Sequence, residues 1–161
     1  MTTTCLRNWW VSLAWAGLLS TCFAQVAPSS ATAQESPGRQ VVMFGVVASP
    51  GGNSMDSKIP TVVAARLRKT LPGHSFKLVK VKSTRLVAGQ SMVLDLGSGF
   101  TTKAEMVTPL DGVGKVQMRF DLSIDGFSQF QSVVTTPPDQ FNFFDKTMPD
   151  NSHLLIGVGA R

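Results

Sequence analysis

The stretch VQMRFDLSI, residues 116–124, decides how this chain is expected to fold. Apolar side chains at every second position alternate with polar or charged ones. Successive side chains of a β-strand point to opposite faces, so this period of two predicts a strand with one buried and one solvated face. Asp125-Gly126 follows and is typical of a two-residue hairpin turn. The sequence therefore predicts an antiparallel pair with residues 127–136.

Extended patterns continue on both sides of this hairpin. Residues 41–48 form a β-branched apolar run that predicts a mostly buried strand, ended by Ser49-Pro50-Gly51-Gly52. After Gly73 the pattern is β to the end, with Pro137-Pro138 as a break. The further predicted strands cover residues 75–87, 91–96, 101–109, 140–144 and 153–160.

One helix is predicted between the first strand and the β region. Asp56 is a candidate cap, Pro60 suits a first helical turn, and Pro72-Gly73 is a stop signal. Apolar residues recur at every fourth position and predict one buried face. They are Ile59, Val63, Leu67 and Leu71.

Together these elements predict an α+β domain. An N-terminal strand and one amphipathic helix are followed by an antiparallel β meander, which forms a sandwich or a partly open barrel. The predicted organisation is a signal peptide over residues 1–24, a disordered linker over 25–40 and a single β-rich domain over 41–161. The linker is rich in Pro, Ser, Ala and Gln and poor in large apolar residues.

The first 24 residues predict export. Arg7 precedes an uncharged run over residues 9–23, and Ala24 ends the small-residue pattern of a signal peptide. We expect cleavage after Ala24, with Ala33 as a second candidate site, and hence a secreted or periplasmic protein. The apolar run is shorter than the roughly 20 residues of a membrane-spanning helix.

A lipid anchor is an alternative outcome of the same segment. Leu19-Ser20-Thr21-Cys22 resembles the lipobox of bacterial lipoproteins, in which the cysteine is acylated, although Thr21 departs from the usual small residue. Membrane contact is expected only if the chain is lipidated at Cys22 or left uncleaved. Both cysteines and all three tryptophans precede residue 25, so the processed chain would hold no thiol, disulfide or Cys-based metal site.

A basic segment with no acidic residue is the main candidate for binding. An acidic envelope polymer, anionic lipid head groups or an acidic protein would fit it, whereas a solvated face and an aggregation-resistant edge strand are the plainer interpretation. Nucleic acid is not expected, because Phe76 is the one aromatic side chain within the cluster. The basic residues are Arg66, Arg68, Lys69, Lys77, Lys80, Lys82 and Arg85.

Catalytic and metal-binding signals are weak. The chain has two histidines, His74 and His153, and neither belongs to a spaced metal-ligand motif. Asp139, Asp145 and Asp150 crowd the C-terminal loops, but their spacing does not match a calcium loop. No nucleophile-elbow or phosphate-binding motif occurs, so we expect no cofactor, no metal and no catalytic residue.

The sequence therefore predicts an exported, non-enzymatic domain that binds or supports an envelope component. Two alternatives stay open. One is binding of a polyanion or anionic surface through residues 66–85, and the other is a small secreted hydrolase whose site is assembled from distant Ser, His and Asp residues.

Overall fold

The computed structural model describes residues 38–161. The predicted signal peptide, the cleavage positions, Cys22 and most of the predicted linker lie outside the described residues. The strands are β1 (Arg39–Pro50), β2 (His74–Leu86), β3 (Ser91–Gly97), β4 (Phe100–Thr108), β5 (Val116–Ile124), β6 (Phe127–Thr136), β7 (Phe141–Thr147) and β8 (His153–Ala160), and the helix is α1 (Thr61–Thr70).

The eight described strands form two antiparallel sheets. Sheet A has the order β2-β1-β8-β7, and sheet B has the order β3-β4-β5-β6. Over residues 38–161 the architecture is β-rich and sandwich-like, with one short helix, and it is not a closed barrel. Of the described strands, only β3 to β6 make a continuous meander, because the chain returns to sheet A after Pro137-Pro138.

The space between the sheets holds the larger apolar core. Strand β5 alternates as predicted, since Val116, Met118 and Phe120 are fully buried while the residues between them face outward. Alternate residues of β1, among them Val41 and Met43, enter the same core from sheet A. Asp125 and Gly126 both have positive φ, which is the conformation that a two-residue hairpin turn requires.

A second core lies on the other face of sheet A, under α1. Val42, Phe44 and Val46 of β1 pack there against Val63 and Leu67 of the helix. Strand β1 is therefore covered on both faces, which explains why its sequence is apolar without alternation. The predicted amphipathic face of the helix is confirmed.

The start of the helix differs from the sequence-based expectation. Its N-cap is Pro60, and no side chain of the described residues caps it. Asp56 lies too early and instead accepts hydrogen bonds from the backbone N–H groups of Lys58, at 3.0 Å, and Leu78, at 3.2 Å. Asp56 thus ties the loop before α1 to strand β2. The prediction that Asp56 caps the helix is wrong.

Candidate functional site

The predicted basic residues lie on two surfaces. Arg66, Arg68 and Lys69 are exposed on α1, which covers the outer face of sheet A. The guanidinium carbon of Arg66 lies 5.0 Å from the centroid of the Phe143 ring, which is a cation–π contact. These three side chains form the helical part of the basic segment.

The lysines of β2 lie on the opposite face of the same sheet. Cross-strand neighbours point to the same face, and Lys77, Lys80 and Lys82 pair with β1 residues that face sheet B, as Val47 and Met43 do. Strand alternation therefore separates these lysines from α1, although they follow it closely in sequence. The segment is not one continuous basic surface.

Strand β2 lies at the edge of sheet A, as the plainer interpretation of its lysines requires. The Lys82 ammonium donates a hydrogen bond to the Val93 carbonyl of β3, at 2.9 Å, and so links the two sheets at this edge. Arg85 pairs with Gln40 near the start of β1, at the far end of β2 from α1's last turn. Binding of a polyanion by these residues stays a prediction.

An apolar groove opens beside the first turn of α1, and we call it the α1 groove. It encloses about 400 Å³. Its floor is buried and its rim includes Val62 and Val81, which are 82% and 56% exposed. The floor consists of Val42, Phe44, Ile59 and Val63.

The groove lies where α1 begins. Ile59, Pro60 and Val63 line it together with residues near the start of β1 and the end of β8, among them Val42 and Ala160. Exposed valines at the rim of a concave apolar surface are typical of a ligand site in a small domain.

Three charged side chains lie at the edge of the α1 groove. Lys58, Arg161 and Asp139 contribute to its lining. Neither Lys58 nor Arg161 forms an ion pair with another residue between 38 and 161. The groove thus combines an apolar floor with charged side chains at its edge, where Lys58 also lies near the Asp56 carboxylate. No sequence motif indicated this combination.

The two histidines meet at the other end of β1. His74 pairs with Pro50 through β2, and His153 pairs with Ala48 through β8, so β1 brings their strands to the same place. Their ring centroids are 5.6 Å apart. His153 Nδ1 lies 2.9 Å from an Asp145 carboxylate oxygen. The sequence alone indicates two isolated histidines, whereas the structure places them side by side with an acid.

The three acids expected in the C-terminal loops are separate from one another, and Asp145 lies within strand β7 and not in a loop. Asp145 contacts His153, Asp139 lines the α1 groove, and Asp150 accepts hydrogen bonds from the Ser152 hydroxyl and N–H. The bond from the Ser152 hydroxyl, followed by that from its N–H, lowers the pKa of Asp150. Within residues 38–161 no group of three or more His, Cys, Asp or Glu side chains is placed to hold a metal ion.

No serine between residues 38 and 161 is hydrogen-bonded to the histidine pair. Among the described residues, the hydrogen bonds of the two imidazoles go to the Pro72 carbonyl and to Asp145. A Ser-His-Asp triad needs a hydroxyl within hydrogen-bond reach of the imidazole, and none of the described serines provides it.

The helix of the described part of the chain, at ten residues, is too short to cross a membrane. No protein-family model, no curated protein and no solved structure matches the chain, so its function is inferred from the geometry of its own residues.

Proposed function

We propose that this protein is an exported, non-enzymatic binding domain that holds an anionic single-chain amphiphile of the cell envelope. The acyl chain would lie in the α1 groove, with the anionic head group at Lys58 and Arg161. The observation that carries the proposal is the open apolar groove with two cations, unpaired within residues 38–161, beside it.

The apolar floor supports an acyl chain as the occupant. Small-molecule sites are concave, mostly apolar and typically about 300–1,000 Å³, and the groove falls in that range. Val62 and Val81 expose apolar surface to water in the free protein. Covering that surface stabilises the complex by roughly 25 cal/mol per Å² buried.

The charges support an anionic head group. Lys58 and Arg161 outnumber Asp139 among the residues that line the groove. A carboxylate or phosphate head would gain charge-assisted hydrogen bonds there, while a cationic head would not. Envelope lipids and their breakdown products supply this chemistry. The predicted signal peptide supports an exported location.

Calorimetric titration with dodecanoate tests the binding. We expect one molecule bound per chain, weaker binding of about fourfold for each CH₂ removed from the ligand, and no binding of dodecyltrimethylammonium. Val81→Glu places a carboxylate at the groove rim and should weaken dodecanoate binding more than tenfold. Val79→Glu is the matched control, because Val79 is exposed on the same strand outside the groove lining.

If the Val81→Glu protein binds dodecanoate as tightly as the unsubstituted protein, the α1 groove is not the binding site. Equal binding of the cationic and anionic ligands would remove the role of Lys58 and Arg161. The intact mass of the protein from its native host tests export separately. A chain that begins at Gln25 or Gln34, or at an acylated Cys22, fits export, and an uncut chain contradicts it.

The two alternative functions have less support. A polyanion-binding face is divided between two sides of sheet A. A hydrolase would have the His153–Asp145 pair, but no described serine is hydrogen-bonded to it.

A further inference from the structure

The histidine pair at the end of β1 brings two imidazole rings close enough to bind one ion. The two rings are the only imidazoles of the chain, their centroids are 5.6 Å apart, and their planes are inclined at 78°. Two imidazoles that bind one ion at about 2.0–2.1 Å have centroids roughly 5–6 Å apart. The separation therefore fits a shared ion.

The hydrogen bonds fix the tautomer of each ring. The Pro72 carbonyl can only accept, so the contact of 3.1 Å with His74 Nδ1 places a proton on that nitrogen. The Asp145 carboxylate likewise accepts from His153 Nδ1, at 2.9 Å. In the neutral rings both Nε2 atoms are then left with their lone pairs.

This arrangement matches the surroundings of histidines that bind metals. Such a histidine usually donates its second ring N–H to a carboxylate or a backbone carbonyl, which orients the ring and raises the basicity of the ligating nitrogen. His153 has the carboxylate partner and His74 has the carbonyl partner. Each ring is therefore already oriented by the kind of partner that a ligating histidine needs.

We propose that His74 and His153 bind one divalent transition-metal ion of the zinc or copper class through their Nε2 atoms, with Asp145 as a positioning residue. Neutral imidazole nitrogens suit Zn²⁺, Cu²⁺ and Ni²⁺ and not Ca²⁺ or Mg²⁺. Water would complete the coordination, because within residues 38–161 no His, Cys, Asp or Glu side chain joins the two histidines as a third ligand. The site is distinct from the α1 groove, which lies at the opposite end of β1.

Two nearby features act on a bound cation in opposite directions. Helix α1 ends beside His74, and the partial negative charge of a helix C-terminus favours a cation. Arg68 lines the same small hollow as His74 and repels one. Arg68→Gln should therefore tighten metal binding.

Calorimetric titration of the metal-free full chain with ZnCl₂ tests the site. Cys5 and Cys22 are replaced by serine in every sample, because thiolates bind zinc independently. We expect one Zn²⁺ per chain. His74→Asn and His153→Asn should each weaken binding by more than tenfold, and Asp145→Ala should weaken it by about tenfold or more. Asp139→Ala, the matched loss of an acid outside the cluster, should leave zinc affinity unchanged.

Imidazole ¹⁵N spectra of the chain with both histidines and Asp145 intact add a test that needs no variant of the cluster. Without zinc, both rings should show protonated Nδ1, and zinc should shift both Nε2 signals. The proposal is overturned if zinc shifts neither ring, or if zinc affinity is the same after both histidines are replaced. It is also overturned if the metal-free rings carry their protons on Nε2.

Discussion

Asp56 shows how one carboxylate takes a role other than the one its sequence position suggests. The hydrogen bond from the Lys58 N–H, then that from the Leu78 N–H and the charges of Lys58 and Lys77, hold the pKa of Asp56 below its ordinary value of 3.8. A lowered pKa in the folded state means that the ionised carboxylate stabilises the fold.

Asp56→Asn should lower the melting temperature at neutral pH. The stabilising effect of ionised Asp56 is fully present above its ordinary pKa of 3.8 and is lost as the pH falls through its lower pKa in the fold. Melting curves of both proteins between pH 7 and pH 2 should therefore converge in acid. A constant difference at every pH would contradict this role. Asp139→Asn is the charge-matched control, because Asp139 lies at the α1 groove and not in the loop that Asp56 holds.

Position 157 must be glycine because the Phe44 ring packs directly against it. A Cβ added at this position of β8 would collide with the Phe44 ring, which lies across it. Gly157→Ala should destabilise the protein by about 1–3 kcal/mol, because the ring must leave its place in the core. Gly112→Ala is the control, since open space surrounds that position and its φ is not in the left-handed region. Urea unfolding of the two variants measures the difference.

At the scale of the element, α1 is held by packing and not by its caps. Leu67 is 1% exposed and Val62 is 82% exposed on the same ten-residue helix. Leu67→Ala should cost about 2–5 kcal/mol of unfolding free energy, and Val62→Ala should change it by less than about 0.5 kcal/mol. If the two variants change the unfolding free energy in urea by the same amount, the core under α1 contributes little to stability.

Strand β2 lies at the edge of sheet A, and we expect its lysines to prevent this edge from pairing with a strand of another molecule. Lys80→Val would join Leu78 and Val79 to Val81 in one uninterrupted apolar run on an exposed edge. Such runs promote edge-to-edge pairing, so this variant should associate as its concentration rises. Lys103→Val in β4, which has a partner strand on each side, should remain unassociated under sedimentation. If both variants associate equally, the association results from the lost positive charge and not from the apolar edge of β2.

The elements were largely predictable from sequence because each carries a local signal. Alternation located β5 at its observed bounds, and Asp125-Gly126 located its turn. The buried face of the helix was equally predictable. The role of Asp56 was not, because a loop hydrogen bond and a helix cap use the same residue type.

At the scale of the whole molecule, the sequence did not reveal which strands pair. The meander prediction placed β7 and β8 after β6, whereas β8 lies beside β1 in sheet A. The histidine cluster depends on that pairing, because His74 and His153 approach only through β1. The α1 groove likewise depends on how the start of α1 packs against sheet A, and no local pattern encodes this.

The two cores should unfold together. Strand β1 contributes Val41 and Met43 to the core between the sheets, and Val42 and Phe44 to the core under α1. Loss of either core therefore exposes one face of β1 and weakens the strand that the other core needs. Thermal unfolding should be a single transition. Hydrogen exchange should show the amides of β5 losing protection in Leu67→Ala as well as those of β1. Unchanged protection in β5 would show that the cores open separately.

The pairing of β1 with β8 also fixes when the fold can be completed. The Gln40 and Arg161 backbones exchange two hydrogen bonds, and β8 fills the position between β1 and β7. During synthesis, β1 is the first of the described strands to leave the ribosome, and β8 is the last. The pairing of β1 with β8 therefore cannot form until the end of translation. Sheet A cannot close until residues 153–160 are free, and its residues form about half of the core that covers sheet B, so the finished domain forms only after its last strand has been translated.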